Sequence, residues 1–216
     1  MGKLSLGKKA DILVESLIYF YSFTMKFKFI IKAVFLCFIT LSSLAKDLTV
    51  GSEAPAFSLL DENGEKWNST DFLGKKNILI FFYPAAMTGG CTKQACSYRD
   101  DLDNWKSKDF EIIGISGDKP QNLKLFKKVE NLNFKLLSDM DGEVARSFGV
   151  PQSKGGSIQK FVQGERFTLD RGVTTKRWTF IVSKKGKVLY KNDKVNAAKD
   201  SQDALRFISE LQELSF

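Results

Sequence analysis

Polar and apolar positions divide this chain into short continuous apolar runs and longer amphipathic segments. The apolar runs have the length of buried strands and cover residues 77–83, 111–116 and 134–138. The amphipathic segments have the period of a helix and cover residues 90–106, 119–126, 141–149 and 201–214. Strands that alternate with helices in this way predict a mixed-sheet α/β domain.

Two hairpins frame these elements. Residues 54–60 and the turn at 61–65 predict the first, and the apolar runs at 177–183 and 188–190 predict the second. Residues 150–174 have no clear period and are rich in glycine and polar side chains, so we predict a long surface loop there. The order of elements is that of a thioredoxin-like fold, a mixed central sheet flanked by helices, with an N-terminal hairpin extension.

The N-terminal region has the pattern of an export signal. Met25 begins a short basic stretch, residues 29–41 are mostly apolar, and small residues precede a cleavage site after Ala45. We therefore predict a signal peptide at 25–45. Residues 1–24 would then be an upstream extension that is not translated when synthesis starts at Met25.

The mature protein is predicted to be a single domain at 46–216. The apolar run of the signal is short for a membrane span, so we expect no membrane segment once it is removed. We expect an exported, periplasmic protein, in a compartment that permits disulfides. A membrane anchor and a cytoplasmic location remain the alternatives.

Composition excludes several kinds of site. The formal charge of the chain is +8, but only +4 falls on residues 46–216, where no block of like charges suggests a nucleic-acid surface. Histidine is absent, which excludes Ser-His and Cys-His catalysis. Cys37 lies in the apolar run, and Cys91 and Cys96 cannot complete a tetrahedral zinc site by themselves. We expect neither a metal nor another cofactor.

The junction after the first buried strand carries the candidate chemistry. The strand ends at Pro84, two glycines follow, and a helix begins at or just before Cys91. Unpaired N–H groups and the positive end of the helix dipole favour a thiolate there, which would make Cys91 a nucleophile. Taken singly, Thr88 could be a helix cap, Pro84 a strand terminator and Arg177 a surface residue paired with an acid.

Together these residues resemble the peroxiredoxins. The pattern Pro84-x-x-x-Thr88-x-x-Cys91 is similar to their active-site signature, and Cys96 resembles the second cysteine of the Q-type (bacterioferritin-comigratory) subfamily. Further similar segments are Gly51-x-x-Ala54-Pro55-x-Phe57, Phe72-x-Gly74-Lys75-Lys76, Leu137-Ser138-Asp139 and Arg177-x-Thr179-Phe180. The resemblance covers essentially all of residues 46–216.

The chain departs from that family's pattern at three places beside the motif. Gly89 stands where proline is frequent, Ala85-Ala86 where a Lys-Asp pair is common, and Gln94 where glutamate is frequent. The predicted loop at 150–174 also looks longer than usual.

The resemblance implies reduction of hydrogen peroxide and organic hydroperoxides by Cys91, which becomes a sulfenic acid. It implies that Cys96 resolves this acid into an intramolecular disulfide and that thioredoxin or a thioredoxin-like protein reduces the disulfide. Thr88 would hold a peroxide oxygen, Pro84 would shield the thiolate from water, and Arg177 would supply a cation. A monomeric enzyme of antioxidant defence is expected.

The spacing of the two cysteines predicts a conformational step. In an intact helix, residues five apart have Cα atoms roughly 8–9 Å apart, beyond the roughly 7 Å at which a disulfide closes. The turn must therefore unwind when the disulfide forms. Two alternatives stay open: a thiol–disulfide oxidoreductase, which usually has Cys-x-x-Cys, and a non-catalytic domain with a structural disulfide.

Overall fold

The computed structural model describes residues 48–213, which belong to one compact unit. The strands are β1 (Ser58–Asp61), β2 (Lys66–Asn68), β3 (Asn77–Phe82), β4 (Phe110–Ser116), β5 (Lys135–Ser138), β6 (Gln152–Val162), β7 (Glu165–Thr175), β8 (Trp178–Val182) and β9 (Val188–Asn192). The helices are α1 (Gly89–Asp100), α2 (Leu102–Ser107), α3 (Pro120–Val129), α4 (Glu143–Ser147) and α5 (Asp200–Glu213), with a 3-10 turn at Ser69–Phe72.

Seven of the strands form one mixed sheet in the order β2-β1-β5-β4-β3-β8-β9, and β6 and β7 form a separate hairpin. The central strand β3 pairs in parallel with β4 and antiparallel with β8. A strand covered on both faces has no polar side, which explains its continuous apolar run. On β4, a Cβ at Gly114 would lie 2.6 Å from the ring of Phe81, so the close approach of that ring requires a glycine.

Each face of the sheet has its own hydrophobic cluster because successive strand residues point in opposite directions. Phe81 lies in the cluster that includes Tyr98 of α1 and Phe126 of α3. Phe82 lies in the other cluster, with Phe148 and Phe180. The strand that leads into the candidate site is therefore fixed from both sides.

Most predicted elements are confirmed. The three buried strands, the N-terminal hairpin, the hairpin of β8 and β9 and the C-terminal helix all lie within a few residues of the predicted ranges. The predicted α/β class with a mixed central sheet is also confirmed.

The single helix predicted at 90–106 is wrong, because α1 ends at Asp100 and α2 begins at Leu102. The residue between them, Asp101, has φ −94° and ψ 5°, which bends the chain. Trp105 of α2 is fully buried, and its indole packs on Phe110 with ring centroids 5.0 Å apart. The packing of this side chain, which the sequence pattern does not show, accompanies the division of the predicted helix into two.

The long loop predicted at 150–174 is also wrong. This region is an antiparallel hairpin, paired from Gln152 with Thr175 to Val162 with Glu165. Its tip, Gln163-Gly164, has φ values of 52° and 86°, which suit a two-residue turn. One side of β7 is buried or half-buried, with Leu169 only 1% exposed, but its alternation of Phe167, Leu169 and Val173 is interrupted by Arg171, and the facing strand β6 is mostly polar.

The predicted signal peptide at 25–45 and extension at 1–24 lie outside the described residues. Between residues 48 and 213, no helix is both long enough and apolar enough to cross a membrane.

Candidate active site

The loop between β3 and α1 presents the candidate nucleophile. It runs from Pro84 through Met87, whose φ of 59° is left-handed, to Thr88 in an extended conformation. The helix then begins at Gly89, two residues before Cys91. The sulfur therefore lies in the first turn, where backbone N–H groups lack partners within the helix.

Two hydrogen bonds from neighbouring segments hold this loop. The backbone N–H of Ala86 donates to Asp118 Oδ2 at 2.8 Å. The hydroxyl of Thr175, at the end of β7, donates to the carbonyl of Tyr83 at 3.0 Å. Burial raises the pKa of Asp118, while the hydrogen bonds from Ala86 and Ser116 act in the opposite direction. The loop is thus fixed to the ends of β4 and of the hairpin.

Strand register brings a cation to the sulfur. Because Phe82 of β3 pairs with Trp178 of β8, the preceding residue, Arg177, lies beside the loop that follows β3. Its Nη2 lies 3.3 Å from the sulfur of Cys91, which is only 1% exposed. A Cβ built on Gly90 would lie 3.2 Å from the same Nη2, so the guanidinium also packs against the helix backbone.

Two other predicted site residues, Thr88 and Pro84, lie in the loop before α1. Thr88 is the N-cap residue by its backbone, but its hydroxyl donates to the carbonyl of Ala85 at 2.9 Å and makes no cap hydrogen bond. Pro84 is half-buried at the end of the strand. The structure thus brings Cys91 and Arg177 into contact and places Thr88 and Pro84 in the adjoining loop.

Cys96 lies further along α1 and faces another neighbour. It is half-buried, and its thiol donates to Glu130 Oε2 across 3.8 Å. The Arg99 side chain donates to the backbone carbonyl of Glu130 at 2.6 Å. Burial raises the pKa of Cys96, and Glu130 also raises it, whereas Arg99 lowers it. Both Cys91 and Cys96 are free thiols on one continuous helix, with the spacing that cannot close a disulfide while the helix is intact.

Two buried polar residues behind Arg177 had no predicted role. Arg177 Nη1 donates to Gln94 Oε1 at 2.5 Å, and Gln94 Nε2 donates to Asp200 Oδ2 at 2.7 Å. Gln94 lies three residues after Cys91, so helical spacing could have placed it on the same side of α1. Asp200 comes from the first residue of α5, and nothing in its local sequence indicates a link to the site.

Asp200 also binds two hydroxyl groups. Tyr98 and Thr179 each donate to Oδ2 at 2.7 Å. Burial raises the pKa of Asp200, and the hydrogen bonds from Gln94 and from these two hydroxyls act in the opposite direction. Within residues 48–213 no cluster of side chains has the composition of a metal site.

The sequence of this chain matches a known protein family. Residues 50–191 match the model of the AhpC/TSA family. The chain belongs to the AhpC/TSA family. Over 103 residues, it is 52% identical to Peroxiredoxin Bcp of Escherichia coli K12, a match that covers 48% of this chain and 65% of that protein.

Other proteins match this chain over a longer range. Peroxiredoxin Q, chloroplastic, of Gentiana triflora is 36% identical over 167 residues, covering 77% of this chain and 69% of that protein. The crystal structure of Peroxidoxin BcpB from Mycobacterium tuberculosis superimposes with a TM-score of 0.63 and 29% identity, covering 76% of this chain and 97% of that one. These matches confirm the predicted thioredoxin-like peroxiredoxin fold.

Proposed function

We propose that this chain is a thiol-dependent peroxidase that reduces hydrogen peroxide and organic hydroperoxides at Cys91. The observation that carries the proposal is the contact of Arg177 Nη2 with the buried Cys91 sulfur, 3.3 Å apart at the start of α1. A thiolate is the reactive form of cysteine, and both a nearby cation and a helix N-terminus favour it. The relatives named as peroxiredoxins support the same reaction class.

The first step transfers one oxygen to the sulfur. The Cys91 thiolate attacks the terminal peroxide oxygen, the O–O bond breaks, and the departing oxygen takes a proton to leave as water or an alcohol. Arg177 and the backbone N–H groups of Gly90 and Cys91 stabilise the charge that grows on the departing oxygen. Thr88 holds the peroxide in line through its hydroxyl, and Pro84 limits access of water to the sulfur.

The second step forms the disulfide. The Cys96 sulfur attacks the Cys91 sulfenic acid, an S–S bond forms, and hydroxide leaves as water with the proton of the thiol. Because the intact helix keeps the sulfurs apart, α1 opens around these residues and Cys96 leaves Glu130.

The third step restores both thiols. An external dithiol, thioredoxin or a thioredoxin-like protein, attacks the disulfide, gives up two electrons and leaves oxidised. Since both cysteines belong to one chain, the cycle needs no second copy, and we propose a monomer. Antioxidant defence is the corresponding role.

We further propose that the protein is exported to the periplasm. The support is the sequence pattern at 25–45, with its basic start and small residues before the cleavage site after Ala45. Mass spectrometry of the mature protein from its native cells tests this. An N-terminus at Lys46 is expected, and a retained signal segment would contradict it.

Peroxide consumption coupled to a thioredoxin system tests the peroxidase. The wild-type protein should turn over many equivalents of peroxide and Cys91→Ser none. Without the thioredoxin system or any other added thiol, Cys96→Ser should consume a single equivalent. Insulin reduction without peroxide consumption would instead identify a thiol–disulfide oxidoreductase. Activity in neither assay would leave the structural-disulfide alternative.

A further inference from the structure

A line of three polar contacts, buried at Asp200 and partly buried at Arg177, connects the C-terminal helix to the reactive sulfur. Asp200 Oδ2 accepts from Gln94 Nε2 at 2.7 Å, Gln94 Oε1 accepts from Arg177 Nη1 at 2.5 Å, and Arg177 Nη2 lies 3.3 Å from Cys91 Sγ. Gln94 and Asp200 are both fully buried.

The charges of Asp200 and Arg177 fix the Gln94 amide in one orientation. The oxygen faces the guanidinium of Arg177, and the NH2 group faces the carboxylate of Asp200. A flipped amide would place N–H groups against the guanidinium and its oxygen against the carboxylate, and both contacts would be repulsive. Asp200 and Arg177 therefore favour the same orientation of the amide, in which Gln94 offers its oxygen to Arg177.

The two carboxylate oxygens of Asp200 have unequal hydrogen bonding. Three donors converge on Oδ2, while Oδ1 is buried without a hydrogen-bond partner in the described part of the chain. A buried carboxylate with an unpartnered oxygen costs stability, so folding alone does not favour an acid at this position. The positive charge of Arg177 lies beyond Gln94 and favours the carboxylate form.

We propose that Asp200 is a positioning residue for the peroxidase reaction, acting through Gln94 to hold the Arg177 guanidinium against the Cys91 sulfur. The inference rests on the proposed peroxidase function and adds a residue from α5 to that site. The start of α5 is itself anchored, because the indole N–H of Trp105 donates to Ser201 Oγ at 2.9 Å. The C-terminal helix thereby contributes to the geometry of the reactive centre.

Asp200→Asn tests the proposal, because the amide keeps the shape and one acceptor oxygen but removes the charge. We expect the second-order rate constant for oxidation of Cys91 by hydrogen peroxide to fall about tenfold, less than the roughly hundredfold loss that a misplacement of about 1 Å can cause. The matched control is Asp203→Asn on the same helix, whose partner is Arg206 at the protein surface, 3.1 Å away. This control should keep the wild-type rate.

A rescue experiment separates positioning from folding. In the Asp200→Asn background, Gln94→Glu returns a negative charge next to Arg177 and should restore most of the rate. In the wild-type background, Gln94→Glu places two carboxylates in contact and should lower the rate. A normal rate for Asp200→Asn overturns the proposal, and so does a slow rate that Gln94→Glu fails to rescue.

A second measurement does not depend on peroxidase activity. Alkylation of Cys91 by iodoacetamide, followed by peptide mass spectrometry in the Cys96→Ser protein, also depends on the contact between Arg177 and the sulfur. We expect Asp200→Asn to slow it several-fold and Gln94→Glu to restore it. A wild-type protein inert to peroxide would refute the proposed function. The alkylation series would then test the positioning role by itself. An alkylation rate of Cys91 that Asp200→Asn leaves unchanged would refute that role.

Discussion

At the scale of single residues, the two cysteines of α1 differ in the charge beside each sulfur. Cys91 has the Arg177 guanidinium at 3.3 Å, whereas Cys96 has the Glu130 carboxylate at 3.8 Å. A cation favours the thiolate and an anion favours the thiol. In the proposed cycle, this difference in neighbouring charge would favour reaction of peroxide at the first cysteine.

Glu130 should therefore control the reactivity of Cys96. Burial raises the pKa of Cys96, Arg99 lowers it, and Glu130 and Asp100 raise it. Because the net direction is upward, alkylation of Cys96 in the Cys91→Ser protein should accelerate as pH rises above the range of an ordinary thiol. Glu130→Gln removes one negative charge and should shift the midpoint of that pH profile downward. The exposed Glu143→Gln serves as control. An identical midpoint in both variants would contradict this role.

Gly90 should be sensitive to a single added methyl group. A Cβ there would lie 3.2 Å from Arg177 Nη2, whereas a Cβ at Gly89 would meet nothing within 4 Å. Gly90→Ala should displace the guanidinium by a few tenths of an ångström and slow peroxide reduction several-fold. Gly89→Ala should leave the rate near wild type, measured by the same stopped-flow assay. Equal rates for both variants would show that the guanidinium position is not critical.

At the scale of elements, the proposed Cys91–Cys96 disulfide requires α1 to change its structure. Its C-terminal half is anchored by Tyr98, which is fully buried and stacks on Phe81 with ring centroids 4.8 Å apart. The turn between Cys91 and Cys96 therefore bears most of the opening that a disulfide requires.

Hydrogen exchange should detect this opening. Amides of residues 91–99 should be protected in the reduced protein and exchange faster after oxidation by peroxide, because the disulfide unwinds the helix there. Strand β3 provides an internal reference whose protection should stay constant. Equal protection of residues 91–99 in the two redox states would contradict the proposed step.

The elements also show which features the sequence could predict. Strand β3 was predictable because burial on both faces leaves an unbroken apolar run. The hairpin of β6 and β7 was not, because β6 is mostly polar and Arg171 interrupts the apolar alternation of β7. Cys91 has a local motif, but Asp200 joins Gln94 across 106 residues, and only the packing of α5 reveals that contact.

At the scale of the whole molecule, both reactive thiols lie within one chain and on one helix. An internal disulfide leaves the molecular mass on a gel unchanged and consumes two thiols. The net charge on residues 46–216 is only +4, so we expect little electrostatic attraction to a polyanionic partner.

Oxidation should therefore give a cross-link within the chain. After one equivalent of peroxide, the protein should run as a monomer on a non-reducing gel and lose two titratable thiols. Cys96→Ser should lose one. A disulfide-linked dimer as the main wild-type product would show that a second copy takes part in resolution.

The most direct test of the account is to find which sulfur receives the peroxide oxygen. Reduced Cys96→Ser protein is treated with one equivalent of hydrogen peroxide in the presence of dimedone, which traps sulfenic acids, and its peptides are analysed by mass spectrometry. We predict a dimedone adduct on Cys91 and none when Cys91→Ser is treated in the same way. An unmodified Cys91, with the peroxide unconsumed, would contradict the account.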